Sequence, residues 1–193
     1  MSGRNGSSKE VPRVLERERI FKGRIVELAL EKIRLPDGST TTLEIVRHPG
    51  AAAVVPFLDP PEEPDPRIVL IHQYRHAAGR TIYEIPAGIP APGEEPQACA
   101  RRELEEETGY ACGSLRYLTK LYTTPGFTDE VIHLYSASSL EPGFPSRDRD
   151  EMIRLREVRR SEAVEMIRTG ELADAKSVAA LLHAFFLSPE PGP

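Results

Sequence analysis

From Arg17 to Pro49 apolar and polar positions roughly alternate: Ile20, Phe21, Ile25 and Val26 are followed by Leu28, Leu30 and Ile33. A period near two is the mark of strands. Leu35-Pro36-Asp37-Gly38-Ser39 is a turn signal, and the β-branched run Thr40 to Val46 follows it. The pair reads as a hairpin closed by an Asp-Gly turn. Short apolar runs at 51–58, 68–74 and 81–85 read as buried strands, and the Pro-rich stretch 58–66 as the loop between the first two. The periodicity then changes. Residues 95–108 predict a helix, with Pro96 near its start, where a missing N–H costs nothing, and Gly109 just past its end, where a left-handed cap is expected. Strands are expected at 114–123, 131–136 and 154–158, and helices at 161–169 and 175–187. The second of these helices is apolar on one face through Val178, Leu181, Leu182 and Phe185. A strand-rich body with three helices predicts a layered α/β or α+β domain.

The chain has 193 residues, enough to bury a core without disulfide or metal staples. Apolar residues make up 39% and charged residues 28%, which excludes disordered and fibrous classes. No apolar run reaches the ~18 residues of a membrane span. The start MSGRNGSSKEVPR lacks the apolar centre of a secretory signal, so export is not expected. Residues 1–13 read as a disordered tail and 188–193 as a second one. The two cysteines, Cys99 and Cys112, make no C-x-x-C or zinc pattern, so free thiols and a cytoplasmic location are expected. The net charge of -5 argues against nucleic-acid binding through a basic face.

Glu103, Glu106 and Glu107 share one face of the predicted helix, while Glu105 points away. They lie in its last turn, where the macrodipole is already negative, so each placement costs about 0.3–1 kcal/mol if uncompensated. A glutamate run by itself reads as a solvated face. A divalent cation would reverse the cost, and hard ions such as Mg²⁺ take oxygen ligands.

The surrounding residues change that weighting. Gly88, Glu94, Arg102, Glu103, Leu104, Glu106, Glu107, Gly109 and Tyr110 fall at the spacing Gly, five residues, Glu, seven residues, Arg-Glu-aliphatic, any, Glu-Glu, any, Gly, bulky apolar. This stretch resembles the Nudix box; the aromatic Tyr110, at a usually aliphatic place, is its mildest departure. The resemblance implies an α/β/α sandwich around a mixed β-sheet with an N-terminal β-hairpin extension. It also implies hydrolysis of a nucleoside diphosphate linked to another moiety. By resemblance Glu103, Glu106 and Glu107 are metal ligands, joined by the backbone carbonyl of Ala87. Gly88, Glu94, Arg102 and Gly109 are structural, with Arg102 and Glu94 paired to hold loop and helix together. Mg²⁺ is the implied cofactor, with Mn²⁺ possible.

Outside the box, Thr123-Thr124-Pro125-Gly126-Phe127-Thr128-Asp129-Glu130 resembles the ADP-ribose pyrophosphatase branch, Pro125 standing sixteen residues after Gly109. That places Glu130 near metal or substrate; an ordinary Pro-Gly turn is the plainer reading. Arg75, at a strand end, resembles the family's diphosphate contact, a task suited to the planar guanidinium fork. Arg47 is a weaker candidate for the same role across a dimer, and Phe21 a candidate for stacking on adenine. The general base is expected in the loop 145–151, with Glu151 first and Asp150 next. The implied organisation is residues 14–48 as dimerising strands and 49–187 as the hydrolase domain. The implied reaction is Mg²⁺-dependent cleavage of ADP-ribose to AMP and ribose 5-phosphate by a homodimer. Two alternatives stay open: another nucleoside diphosphate sugar as substrate, or a nucleotide-binding sensor without turnover.

Overall fold

Ala51–Pro56 (β4) carries no polar side chain, because both faces of this strand are covered. Ala53 and Val55 point into one core with Phe57, Leu70, Leu134 and Leu181, while Ala52 and Val54 point into another with Cys99, Leu104 and Tyr135. The computed structural model describes residues 11–145 and 153–187. Residues 1–10 of the tail expected over 1–13, the tail 188–193, and the loop residues Asp150 and Glu151 lie outside them. Contacts divide the chain into two units, Met1–Pro49 with Thr123–Glu130, and Gly50–Tyr122 with Val131–Pro193.

The first unit is an antiparallel sheet of β1 (Arg13–Lys22), β2 (Glu27–Arg34) and β3 (Thr40–Arg47), in that order. The expected Asp-Gly turn joins β2 to β3. Gly38 takes φ 86°, and the Asp37 carboxylate accepts from the Ser39 N–H at 2.9 Å and from its hydroxyl at 2.6 Å. β1 adds a third strand, and it starts at Arg13, within the stretch expected as tail. Thr123–Glu130 joins this unit because the Val46 N–H donates to Phe127 O at 2.7 Å and Arg47 Nη1 binds Asp129 Oδ2 at 2.8 Å.

The second unit contains two sheets. One runs β7-β4-β9-β8, with β7 at Ala87–Gly88, β8 at Tyr110–Tyr122 and β9 at Val131–Pro142. Its β4–β9 pairing is parallel and the others antiparallel, so the sheet is mixed. The other runs β10-β5-β6, antiparallel throughout, with β5 at Arg67–Arg75, β6 at Arg80–Glu84 and β10 at Ile153–Arg159. Helix α1 (Pro96–Thr108) covers the Ala52/Val54 side of the mixed sheet. Helices α2 (Arg160–Thr169) and α3 (Ala175–Leu182) supply Ala163, Met166, Ala180 and Leu181 to the core on the opposite side. This is the expected α/β/α layering. The helix expected over 175–187 keeps its regular turns to Leu182, and His183–Leu187 continues with a wider π-type turn.

Leu134 lies fully buried in the larger core. Truncating it to alanine removes apolar contacts and leaves a cavity, so Leu134→Ala is expected to lower stability by about 3 kcal/mol, read from denaturant unfolding. None of the described helices is long and apolar enough to cross a membrane.

Candidate active site

Helix α1 presents the glutamates because its ends are set. Pro96 opens it, and Gly109 closes it at φ 79°, its N–H donating to Glu105 O at 2.8 Å. Leu104, Ala100 and Cys99 face the sheet and fix the helix rotation. Glu103 and Glu107 are then turned inward, 8% and 2% exposed, with Glu106 half-buried and Glu105 outside. Carboxylates so buried need polar partners. The Ala87 N–H donates to Glu107 Oε2 at 3.0 Å. Glu103 lies against Gly88: a Cβ at that glycine would stand 1.9 Å from Glu103 Oε1. The strand Ala87–Gly88 and the end of α1 are thus built around the same two carboxylates.

Arg102 ties the motif together. Its Nε and Nη2 bind Glu94 at 3.0 and 2.9 Å, and Nη2 also donates to Ile89 O at 3.2 Å. Its Nη1 lies between Glu103 Oε1 at 2.6 Å and Glu106 Oε2 at 2.8 Å. Glu94 accepts in addition from the Ala91 N–H at 2.8 Å, so one guanidinium joins loop and helix. The Glu94 bond, ahead of those to Glu103 and Glu106, pushes the Arg102 guanidinium above its usual pKa, and the Arg102 hydrogen bond holds Glu94 below the usual carboxylate range. Cys99 is packed beneath, its thiol donating to Gly88 O at 3.5 Å, and burial pushes it up to about 12. It is an inert packing group.

Among the described residues no three His, Cys, Asp or Glu side chains stand ready to ligate an ion directly. A cationic nitrogen of Arg102 sits between Glu103 and Glu106. The cluster therefore accepts positive charge between its members, and its oxygen donors suit a hard divalent ion.

Arg75 stands at the end of β5 in the same unit, half-buried, its Nε and Nη2 bound to Glu84 Oε1 and Oε2 at 2.5 and 2.9 Å. Burial alone would push the Glu84 carboxyl up, but the hydrogen bonds and charges of Arg75 and Lys176 outweigh it and hold it low. Glu84 and Lys176 escaped the sequence reading: Glu84 sits in an ordinary strand, and Lys176 is 92 residues away. His72 stacks on Tyr83 with ring centroids 4.4 Å apart, a packing role.

The remaining candidates belong to the first unit. Arg47 is held by Glu31 Oε1 at 2.5 Å and Asp129 Oδ2 at 2.8 Å. Its Nε is buried without a hydrogen-bond partner among the described residues. A cavity of about 210 Å³ in this unit is lined by Arg47 and His48 together with Lys22 and Arg24. Glu130 accepts from the Thr123 hydroxyl at 2.9 Å and lies 3.3 Å from His48 Nδ1. Phe21 is 57% exposed on the edge strand β1, free of any core. Glu151 and Asp150 lie outside the described residues.

Comparison with known proteins agrees with this geometry. The family model described as the NUDIX domain matches residues 47–181. A Bacillus methanolicus protein named methanol dehydrogenase activator is 42% identical over 173 residues, covering 89% of this chain and 91% of that protein. The ADP-ribose pyrophosphatase of Bacillus subtilis is 40% identical with the same coverage of each chain. Among solved structures, one described as an ADP compounds hydrolase superposes with a TM-score of 0.75 at 23% identity, covering 91% of this chain and 93% of that one, a likeness of fold. With the NUDIX match spanning most of the chain and these relatives aligned almost end to end, the chain belongs to the Nudix family.

Proposed function

We infer that this chain is a divalent-cation-dependent pyrophosphohydrolase that cleaves the diphosphate of ADP-ribose to AMP and ribose 5-phosphate. The observation that carries the reading is the trio on α1: Glu103 and Glu107 buried against Ala87 and Gly88, with Glu106 beside them. Buried carboxylates crowded at a negative helix end are a poor way to stabilise a fold and a good way to hold a cation. The choice of substrate is supported by the 40% identical relative named ADP-ribose pyrophosphatase.

Glu103, Glu106, Glu107 and the Ala87 carbonyl are the groups that would hold Mg²⁺, with Mn²⁺ as a substitute. When bound, the ion supplies neutralisation of the diphosphate charge and activation of the attacking water. Arg102 keeps Glu103 and Glu106 together against their repulsion and fixes the Gly88–Glu94 loop on the helix. Arg75 binds phosphate oxygens through its planar fork. Glu151 accepts the proton from water, with Asp150 as its substitute. Arg47, Glu130 and Phe21 are the first unit's candidates for substrate binding. A cytoplasmic location suits two free thiols.

A substrate panel tests the choice of ADP-ribose. With Mg²⁺ present, kcat/KM for ADP-ribose should exceed that for UDP- and GDP-sugars by at least about tenfold, the scale of one well-placed contact. A nucleotide sugar turned over faster would move the assignment to that substrate.

The same reading makes the protein a homodimer joined through residues 14–48. β1 is the edge of its sheet, every residue in it is exposed, and Val14, Leu15, Ile20 and Phe21 are among them. An edge strand leaves backbone N–H and C=O groups open to pairing, and these four apolar side chains, set among charged ones, would be covered by a second copy. Gel filtration with light scattering is expected to give twice the chain mass at micromolar concentration; a monomer would remove the dimer from the account.

A further inference from the structure

Glu84 ends β6, three residues before Ala87, and is 1% exposed. A carboxylate that deep is tolerable only when its oxygens are met by donors. Arg75 meets it side-on through Nε and Nη2. Lys176, in the first turn of α3, donates to the same Oε2 that Nη2 binds. The Lys176 ammonium also reaches Asp174 Oδ2 at 3.0 Å. Asp174 accepts from the Ser177 N–H at 3.0 Å and its hydroxyl at 2.5 Å, and Ser177 Oγ accepts from the Ile85 N–H at 2.9 Å. The contacts form a closed circuit linking β5, the end of β6 and the start of α3.

This circuit does more than seal a buried charge. A guanidinium has five N–H donors on a rigid plane. Glu84 grips one edge of that plane, and Nη1 on the other side has no partner among the described residues. The Arg75 side chain keeps 40% of its surface exposed. Arg75 and Glu84 alone would cancel and pull only weakly on an anion. Lys176 meets the Glu84 charge with its own, and the Asp174 carboxylate that also meets Lys176 is shared with the Ser177 N–H and hydroxyl in the first turn of α3.

We propose that Glu84 and Lys176 are positioning residues for diphosphate binding: Glu84 holds the Arg75 guanidinium with its free edge presented to the phosphate oxygens, and Lys176 offsets the Glu84 charge so that the edge stays attractive to an anion. This rests on the reading of Arg75 as the diphosphate contact.

The test is a double-mutant cycle on steady-state ADP-ribose hydrolysis with Mg²⁺, supported by melting curves. Arg75→Ala and Glu84→Gln are each expected to lower kcat/KM roughly thirtyfold, the scale of a charge-assisted hydrogen bond, chiefly through KM. The double variant is expected to be no worse than Arg75→Ala, because nothing is left to orient. Lys176→Met is expected to raise KM roughly tenfold with kcat kept, and Lys176→Arg to stay within about twofold of wild type. If Arg75→Ala retains full kcat/KM, the reading of Arg75 falls and the proposal with it. If Arg75→Ala is impaired but the Arg75 and Glu84 effects multiply, the Arg75 reading stands and the positioning role is overturned. Should Glu84→Gln fail to fold, Lys176→Met decides alone: a wild-type KM rejects the proposal and a raised KM with arginine rescue supports it.

Discussion

Glu107→Gln is expected to lower kcat for ADP-ribose roughly 10³-fold or more while the melting temperature moves by no more than about 5 °C. The two effects separate because of what Glu107 touches. It is 2% exposed, and Oε2 accepts a hydrogen bond from the Ala87 N–H. Glutamine has the same shape and keeps an oxygen for that bond, so local packing survives. What is lost is the negative charge, and with it the proposed hold on a divalent cation. AMP release followed by chromatography, beside circular-dichroism melting of the same samples, reads both effects. Turnover equal to wild type in a folded Glu107→Gln variant would remove Glu107 from the ligand set.

Gly88→Ala is the second large expectation, and its cause is steric. The added Cβ would lie 1.9 Å from Glu103 Oε1 and 2.1 Å from its Cδ. Such an overlap cannot persist, so one partner has to move. The Glu103 carboxylate is the end of a flexible side chain and yields more readily than backbone. Stability is therefore expected to fall by only about 1–2 kcal/mol, within the ordinary range for a local clash. Activity is expected to fall at least about a hundredfold, because Glu103 is driven from the position it needs. Calorimetric titration with Mg²⁺ should show weakened uptake in the same variant. Full activity in Gly88→Ala would mean that Glu103 has no need of its present place.

The placement of these two residues was legible in the sequence because it depends on local spacing. Gly88 stands in the short strand β7 and Glu107 on the helix that follows it, and helical spacing alone puts Glu103 and Glu107 on a common side. The bounds of α1 were legible for the same reason, since Pro96 and Gly109 punctuate it. What joined distant segments was not. Nothing in Ala51–Pro56 announces that it pairs in parallel with Val131–Pro142. Strand β8 begins at Tyr110, four residues before the expected start, because the left-handed turn at Gly109 sends the chain straight into the sheet. Arg13–Lys22 is rich in charge and exposed along its length, and it begins one residue earlier than the strands expected over 14–48. Glu84 looked like any strand residue because its two cations come from β5 and α3. Arg102 was expected on Glu94 alone, yet it also bridges Glu103 and Glu106, a contact that follows only once loop and helix meet.

If the acidic end of α1 lets this chain break a diphosphate with the help of a divalent ion, cleavage has to depend on that ion. Incubating the purified protein with ADP-ribose, with Mg²⁺ in one sample and excess chelator in the other, and separating the products decides the matter. Equimolar AMP and ribose 5-phosphate with Mg²⁺, and intact ADP-ribose with chelator, is the predicted result. Intact ADP-ribose in both samples, or equal cleavage in both, would contradict it.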